Sequence, residues 1–288
     1  MKKLVNYFEF ILTSNTKVIR HYISNLLRII LQKFLYNFNL KLSKLIEEKT
    51  LLDFLYKLRP YKTNHKLIRL GETGDGGYMI PDDLIGIDAC ITAGVGTMIG
   101  FEYDLAKKDI DCYMADYSVD KLPISNKKFH FLKKFIGTEN SEIYIKFDEY
   151  FSKIKKPSSD YILKIDIEGD EYKILPLIKS EDLEKMRIII LEFHGFSNIM
   201  NSFGYILIEL IFDKLLKNHT IVHINPNNVL PSINYSKKLE LYDLIEITFL
   251  RNDRITEKKV NLEFPHPLDS KNNDIFKSKL PDCFYKKT

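Results

Sequence analysis

The sequence holds only three cysteines, Cys90, Cys112 and Cys283, and no C-x-x-C pair. An odd count without that spacing argues against a disulfide framework and for buried thiols in a reducing cytoplasm. No uncharged apolar run approaches the ~20 residues needed to span a bilayer. Glu9 interrupts the one stretch that resembles a signal-peptide core, so secretion is not expected. Acids are almost missing from the first 46 residues. There Glu9 stands alone against eight Lys/Arg, a net +7 in a chain whose total is +4, so the remainder is net acidic at −3. A body of that charge is not a nucleic-acid-binding surface, and any attraction to polyanions is confined to the N-terminal arm.

Within that arm, apolar pairs recur at helical spacing: Val18/Ile19, Tyr22/Ile23, Leu26/Leu27, Ile30/Leu31 and Phe34/Leu35, then Leu51/Leu52 and Phe54/Leu55. Three readings fit. The helices lie on an anionic membrane at its inner face, dock a protein partner, or pack on the main domain. Arg59-Pro60 ends the helical region, so residues 1–60 read as a basic amphipathic appendage and 61–288 as the main domain.

The main domain is organised around Ile87–Asp120. Ile87–Ala93 is a short buried strand, Gly94-Val95-Gly96 turns the chain, and Thr97 is placed to cap a helix through Phe101 and Leu105. Cys112–Ala115 is a second strand, ending in Asp116. Strand, glycine turn, helix, strand and acid make the half-unit that binds a nucleoside at the carboxyl edge of a parallel sheet. The glycines read G-x-G-x-x-x-G (Gly94, Gly96, Gly100), a weak signal alone. Upstream, two short strands flank the loop Gly71–Gly77, whose Asp75 is placed to fold over a cofactor.

Further strands follow at Phe129–Ile136, ending in Gly137, and at Asp160–Ile167 and Arg187–Phe193. A helix is expected with Phe203, Ile206/Leu207, Leu210/Ile211 and Leu215 on its inner face. Thr220–Ile224 and Leu244–Leu250 have no helix between them. Parallel neighbours need a crossover, usually helical, so this pair is expected to be an antiparallel hairpin. Seven strands with the last inserted antiparallel predict the Rossmann-like fold of class I S-adenosylmethionine-dependent methyltransferases.

Several motifs carry a more specific resemblance: Gly74-Asp75-Gly76-Gly77-Tyr78, Gly94-Val95-Gly96 with Phe101-Glu102, Lys164-Ile-Asp166-Ile-Glu168-Gly169-x-Glu171, and Leu191-Glu192-Phe193-His194. With Pro265-His266-Pro267 in the tail, these resemble the FkbM-type methyltransferases over about residues 66–285. The resemblance implies S-adenosylmethionine as cofactor and O-methylation of a sugar or related hydroxylated metabolite, in surface polysaccharide or glycoconjugate synthesis. The expected cofactor contacts are Asp75, Gly94, Gly96, Thr97, Glu102, Asp116, Gly137 and Asp166.

Methyl transfer to a hydroxyl needs alignment of the acceptor and a base for its proton. Asp166 ends one strand, and Glu192 and His194 end the next, two apart and so expected on one face. His194 is the leading base and Asp166 the second candidate. Alternatively Asp166, Glu192 and His194 form an O,O,N set for Mg²⁺ or another divalent cation. Blander roles compete: Asp166 or Glu168 as helix caps, Glu192 in a salt bridge with Arg187 or Lys164. At the level of function, a nicotinamide-dependent oxidoreductase and a non-catalytic recruitment module are the alternatives.

Overall fold

A computed structural model describes residues 16–157 and 159–287. It divides into two compact units, Met1–Leu45 and Ile46–Thr288. Residues 1–15 of the arm, with Glu9, lie outside the described residues.

In the first unit the described chain forms one helix, α1 (Thr16–Tyr36), with Lys33 in its last turn. Gln32 then fastens the returning chain: its amide nitrogen donates to Leu40 O, and its oxygen accepts from Leu42 N. The described helices of this unit and the next include none long and apolar enough to cross a membrane.

The second unit begins with α2 (Glu48–Lys57), which buries Leu51, Phe54 and Leu55. Phe54 meets Tyr205 and Phe212 edge-on. Drawing the appendage to residue 60 therefore included a helix that belongs to the core. Its apolar face resembles that of α1 in sequence, and only the partners across it distinguish the two.

Seven strands form the central sheet: β1 (Ile87–Ala93), β2 (Asp111–Ala115), β3 (Phe129–Leu132), β4 (Asp160–Ile165), β5 (Met186–His194), β6 (His219–Pro226) and β7 (Leu244–Arg251). Their order is 3-2-1-4-5-7-6. Strands β1 to β5 pair in parallel, and β7 runs antiparallel between β5 and β6. The order reverses beside β1, where chain crossovers leave a crevice at the carboxyl edge. This is the class I methyltransferase fold expected from the strand spacing.

Alternating strand residues build two cores. Ile91, Leu163, Ile189 and Leu191 face α2 and Phe212, whereas Cys90, Cys112, Ile162 and Ile190 face Phe101, Leu105 and Ile80. All three cysteines are free and buried. Phe101 and Leu105 come from α3 (Gly100–Lys107), and Ile80 from an antiparallel hairpin, Leu67–Gly71 with Gly77–Pro81.

Two elements depart from expectation. The strand expected over Phe129–Ile136 is broken, and Phe135–Gly137 leaves the sheet to pair with Tyr144–Lys146. The last long helix, α4 (Ser202–Leu216), buries Gly204, Ile208, Ile211, Phe212 and Leu215, leaving Phe203, Ile206 and Leu210 exposed. That helix is apolar nearly all round, so periodicity does not choose its face. Gly204 does: a Cβ there would lie 2.1 Å from Asn198 O, so only glycine permits that approach.

Candidate active site

The crevice holds a cavity of about 380 Å³ along the carboxyl ends of β1, β2 and β4. Its first wall is the turn after β1. Gly94 has a φ of +79°, and a Cβ on it would sit 1.7 Å from Asp166 O. No side chain fits between these strands. Gly96 is also left-handed but faces open space, so a ligand can approach its backbone.

Asp116 holds this turn from β2. Its Oδ2 accepts from Val95 N at 2.9 Å and Gly96 N at 2.8 Å, and its Oδ1 from Ser118 N and Oγ, both at 2.7 Å. Burial alone would raise its pKa, but the hydrogen bonds from Gly96, Ser118 and Val95 outweigh that and hold the carboxyl below the usual range. Both oxygens are engaged, so Asp116 is first of all the clamp of the glycine turn.

Asp75 reaches the cavity from the Gly71–Gly77 loop. Arg69 shapes that loop by donating to Glu72 O and Gly74 O. Glu72 from the same loop accepts from Gly100 N at 2.9 Å. It takes the position expected of Thr97: α3 starts later, with Ile99 at its N-cap and no cap from its own side chains. Thr97 lines the cavity instead.

Two expected cofactor contacts lie elsewhere. Glu102 is fully buried on the sheet side of α3, where it accepts from Thr92 Oγ1 at 2.9 Å and faces Lys164 Nζ at 3.4 Å. Gly137 lies under Tyr144, whose ring would be 2.6 Å from a Cβ there; its neighbours Phe135 and Ile136 line the cavity.

The opposite wall is the turn after β4. Asp166 receives a hydrogen bond from Tyr78 OH at 2.9 Å. Burial pushes the Tyr78 phenol well up, aided by Asp166, so it stays a donor. Glu168 has a φ of +56° and projects into solvent, 87% exposed. Glu171, fully buried, braces the turn by accepting from Ile167 N at 3.0 Å and Gly169 N at 3.3 Å. Its same oxygen lies 3.1 Å from His194 Nδ1. The other ring nitrogen, Nε2, is 3.3 Å from Glu168 Oε2 and 4.0 Å from Asp166 Oδ1. Burial lowers the His194 pKa, but Glu171, Asp166 and Glu168 outweigh it and raise it overall. Glu171 received no role from sequence alone, although its place at the end of D-I-E-G-x-E was the available signal.

Glu192 does not join this group. Its Oε1 accepts from Asn227 Nδ2 at 3.0 Å, and its cross-strand neighbour is Glu246. His194 is the last residue of β5, still paired with Leu244, and the chain turns at Gly195 (φ +69°) directly after it. The donor set that converges is Asp166, Glu168 and His194, with donor atoms within 4.8 Å of one another. It replaces the expected Asp166, Glu192 and His194. His266 is held in a tail turn, its Nδ1 accepting from Leu268 N.

A model of the methyltransferase FkbM domain matches residues 83–227, from just before β1 to the end of β6. The chain belongs to the FkbM methyltransferase family. Among curated proteins, no match is found. Among solved structures, a fibrillarin/Nop5p complex is similar at 14% identity over 58% of this chain and 73% of that one, with a TM-score of 0.36. The Methanococcus jannaschii fibrillarin pre-rRNA processing protein is similar at 12% identity over 65% and 83%, with a TM-score of 0.34. Scores this low add nothing to the topology. The FkbM match covers every element of the two cavity walls except the Asp75 loop, and it includes Glu171 and His194.

Proposed function

We propose that this methyltransferase uses S-adenosylmethionine and methylates a hydroxyl of a sugar or sugar-derived acceptor. The observation that carries the cofactor is the charge of the cavity. Asp75, Asp116, Asp166, Glu168 and Asp170 line it, and among the described residues no Lys or Arg does. A sulfonium and an ammonium suit that lining, whereas the pyrophosphate of a nicotinamide dinucleotide would meet like charge. Its volume falls within the range of small-molecule pockets.

Gly94 and Gly96 would receive the cofactor's main body, with Asp75 and Asp166 beside its charged groups. Ribose hydroxyls would reach Asp116 by taking the donor position that Ser118 Oγ now fills. S-Adenosylmethionine supplies an electrophilic methyl on a sulfonium. His194 supplies what the acceptor lacks. Glu171 fixes the Nδ1 side of the ring, and Nε2, beside the cavity-lining Glu168 and Asp166, would take the hydroxyl proton. Asp166 and Glu168 can accept hydrogen bonds from neighbouring acceptor hydroxyls, which favours a neutral polyhydroxyl group at the reacting end.

A second reading rests on the convergence of Asp166, Glu168 and His194, a set that could hold a divalent cation and so acidify the hydroxyl. One experiment separates the two. Methyl transfer from labelled S-adenosylmethionine is measured across saccharides and nucleotide sugars, with EDTA or added Mg²⁺ or Mn²⁺. Activity that survives EDTA and falls roughly 10²–10⁴-fold in His194→Ala supports the base. Activity lost to EDTA and restored by metal supports the cation. No stabilisation of the fold by S-adenosylmethionine or S-adenosylhomocysteine, alongside stabilisation by NAD⁺, would overturn the cofactor assignment.

A further inference from the structure

From Phe10 to Ile46 the sequence contains no Asp or Glu, while Arg20, Arg28, Lys33, Lys41 and Lys44 all fall there. The described part of this stretch places them on α1 and the chain that follows it. At about 3.6 residues per turn, α1 separates into two faces. Ile19, Ile23, Leu26, Ile30 and Phe34 share one half of the helix, with Lys33 among them, and Arg20, Ser24, Asn25, Arg28 and Gln32 the other, with Leu31 and Leu35 among them. Along the apolar half Ile23, Leu26, Ile30 and Phe34 are about half exposed.

The two faces restrict what can cover the helix. An acidic protein surface would neutralise the arginines and leave the apolar half in water. A second copy of α1 would cover the apolar half but leave Arg20 and Arg28 without an opposite charge. A bilayer surface offers both phases at once, acyl chains for one half and head groups for the other. The absence of every acidic residue selects an anionic surface. Spanning is excluded for α1 by its charge content. We infer that α1 lies in the plane of an anionic phospholipid bilayer, its Ile23–Leu26–Ile30 side among the acyl chains and Arg20 and Arg28 at the phosphates.

The test uses the full chain with phosphatidylcholine vesicles, with and without phosphatidylglycerol. The chain has no tryptophan, so Ile30→Trp introduces a single indole reporter. Its emission should shift to the blue with phosphatidylglycerol vesicles and be quenched by brominated acyl chains, with little change on phosphatidylcholine alone. Raising salt should release the protein. Removing both charges in Arg20→Ser/Arg28→Ser should weaken vesicle binding by roughly 10- to 30-fold. Leu26→Asp should abolish burial of the indole in the Ile30→Trp background. Emission already blue-shifted without vesicles, and unchanged by them, would mean that protein covers this face and would overturn the inference. So would binding that ignores both phosphatidylglycerol and salt. Sedimentation without vesicles shows whether a second copy is the covering surface.

Discussion

Asp116 and Glu192 are almost equally buried, 4% and 3% exposed, and both stand near the carboxyl edge of one sheet. They are pushed in opposite directions. Asp116 meets three backbone N–H groups and a serine hydroxyl, and its carboxyl is held below the usual range despite burial. Glu192 meets one amide donor, and burial together with Asp166 and Glu246 drives its carboxyl well above the usual range. Glu246 is raised by burial as well, although Asn225 and Arg69 oppose the rise. Burial, neighbouring charge and hydrogen-bond donors together set the direction at this edge: donors prevail at Asp116, burial and neighbouring acids at Glu192. The acid whose pKa is held low clamps the Gly94–Gly96 turn, and the two whose pKa values are raised face each other across β5 and β7.

His194 extends the comparison to a base, and Glu171→Gln should give the largest effect among the supporting residues. Glutamine keeps an oxygen for Ile167 N and Gly169 N, so the turn survives, but the charge that raises His194 is lost. The rate should fall by about 10- to 100-fold, the equivalent of one hydrogen bond to a charged group. The pH profile carries the sharper sign. A base must be unprotonated, so the wild-type rate should climb with pH through a value above the ordinary histidine pKa of 6.5. In Glu171→Gln that climb should move to lower pH. An unmoved profile would make Glu171 a brace of the turn alone.

Asp116→Asn should give the next largest effect. An amide side chain can accept at one atom only, so either both bonds to Val95 N and Gly96 N or the bond to Ser118 N is lost. Affinity for S-adenosylhomocysteine, measured by titration calorimetry, should weaken by about tenfold or more. Undiminished affinity would show that the turn holds its shape without the clamp.

What could be read from sequence follows the range of the interactions involved. The strands Ile87–Ala93 and Asp111–Ala115 and the antiparallel return of Leu244–Arg251 depend on local composition and connection length, and all were legible. The N-cap of α3 was not, because Glu72 arrives from a hairpin 28 residues upstream and displaces the local candidate Thr97. Glu102 looked like a cofactor ligand because its buried partners, Thr92 and Lys164, lie on two different strands. The partners of Glu192 were not legible, because Asn227 follows β6 and Glu246 lies on β7, both far along the chain. The boundary at residue 60 failed because the faces of α1 and α2 differ only in what lies across from them.

The most direct test of the comparison reads stability against pH. If Glu192 and Glu246 are neutral in the folded protein, unfolding at neutral pH releases their protons. The folded state then binds more protons than the unfolded one, so stability must fall as pH rises from the ordinary carboxylate pKa of 4.5 towards the raised values. The slope from each acid is at most about 1.4 kcal/mol per pH unit. Glu192→Gln or Glu246→Gln replaces a protonated acid by a neutral isostere, keeps a group for Asn227 or Asn225 to bond, and removes that slope. Melting curves should show little change at pH 5 and a higher Tm than wild type at pH 8. Asp116→Asn should do the reverse at pH 8, because there the ionised form is the stabilising one. Destabilisation by either glutamine variant at pH 8 would mean that the buried pair is charged, and would break the contrast with Asp116.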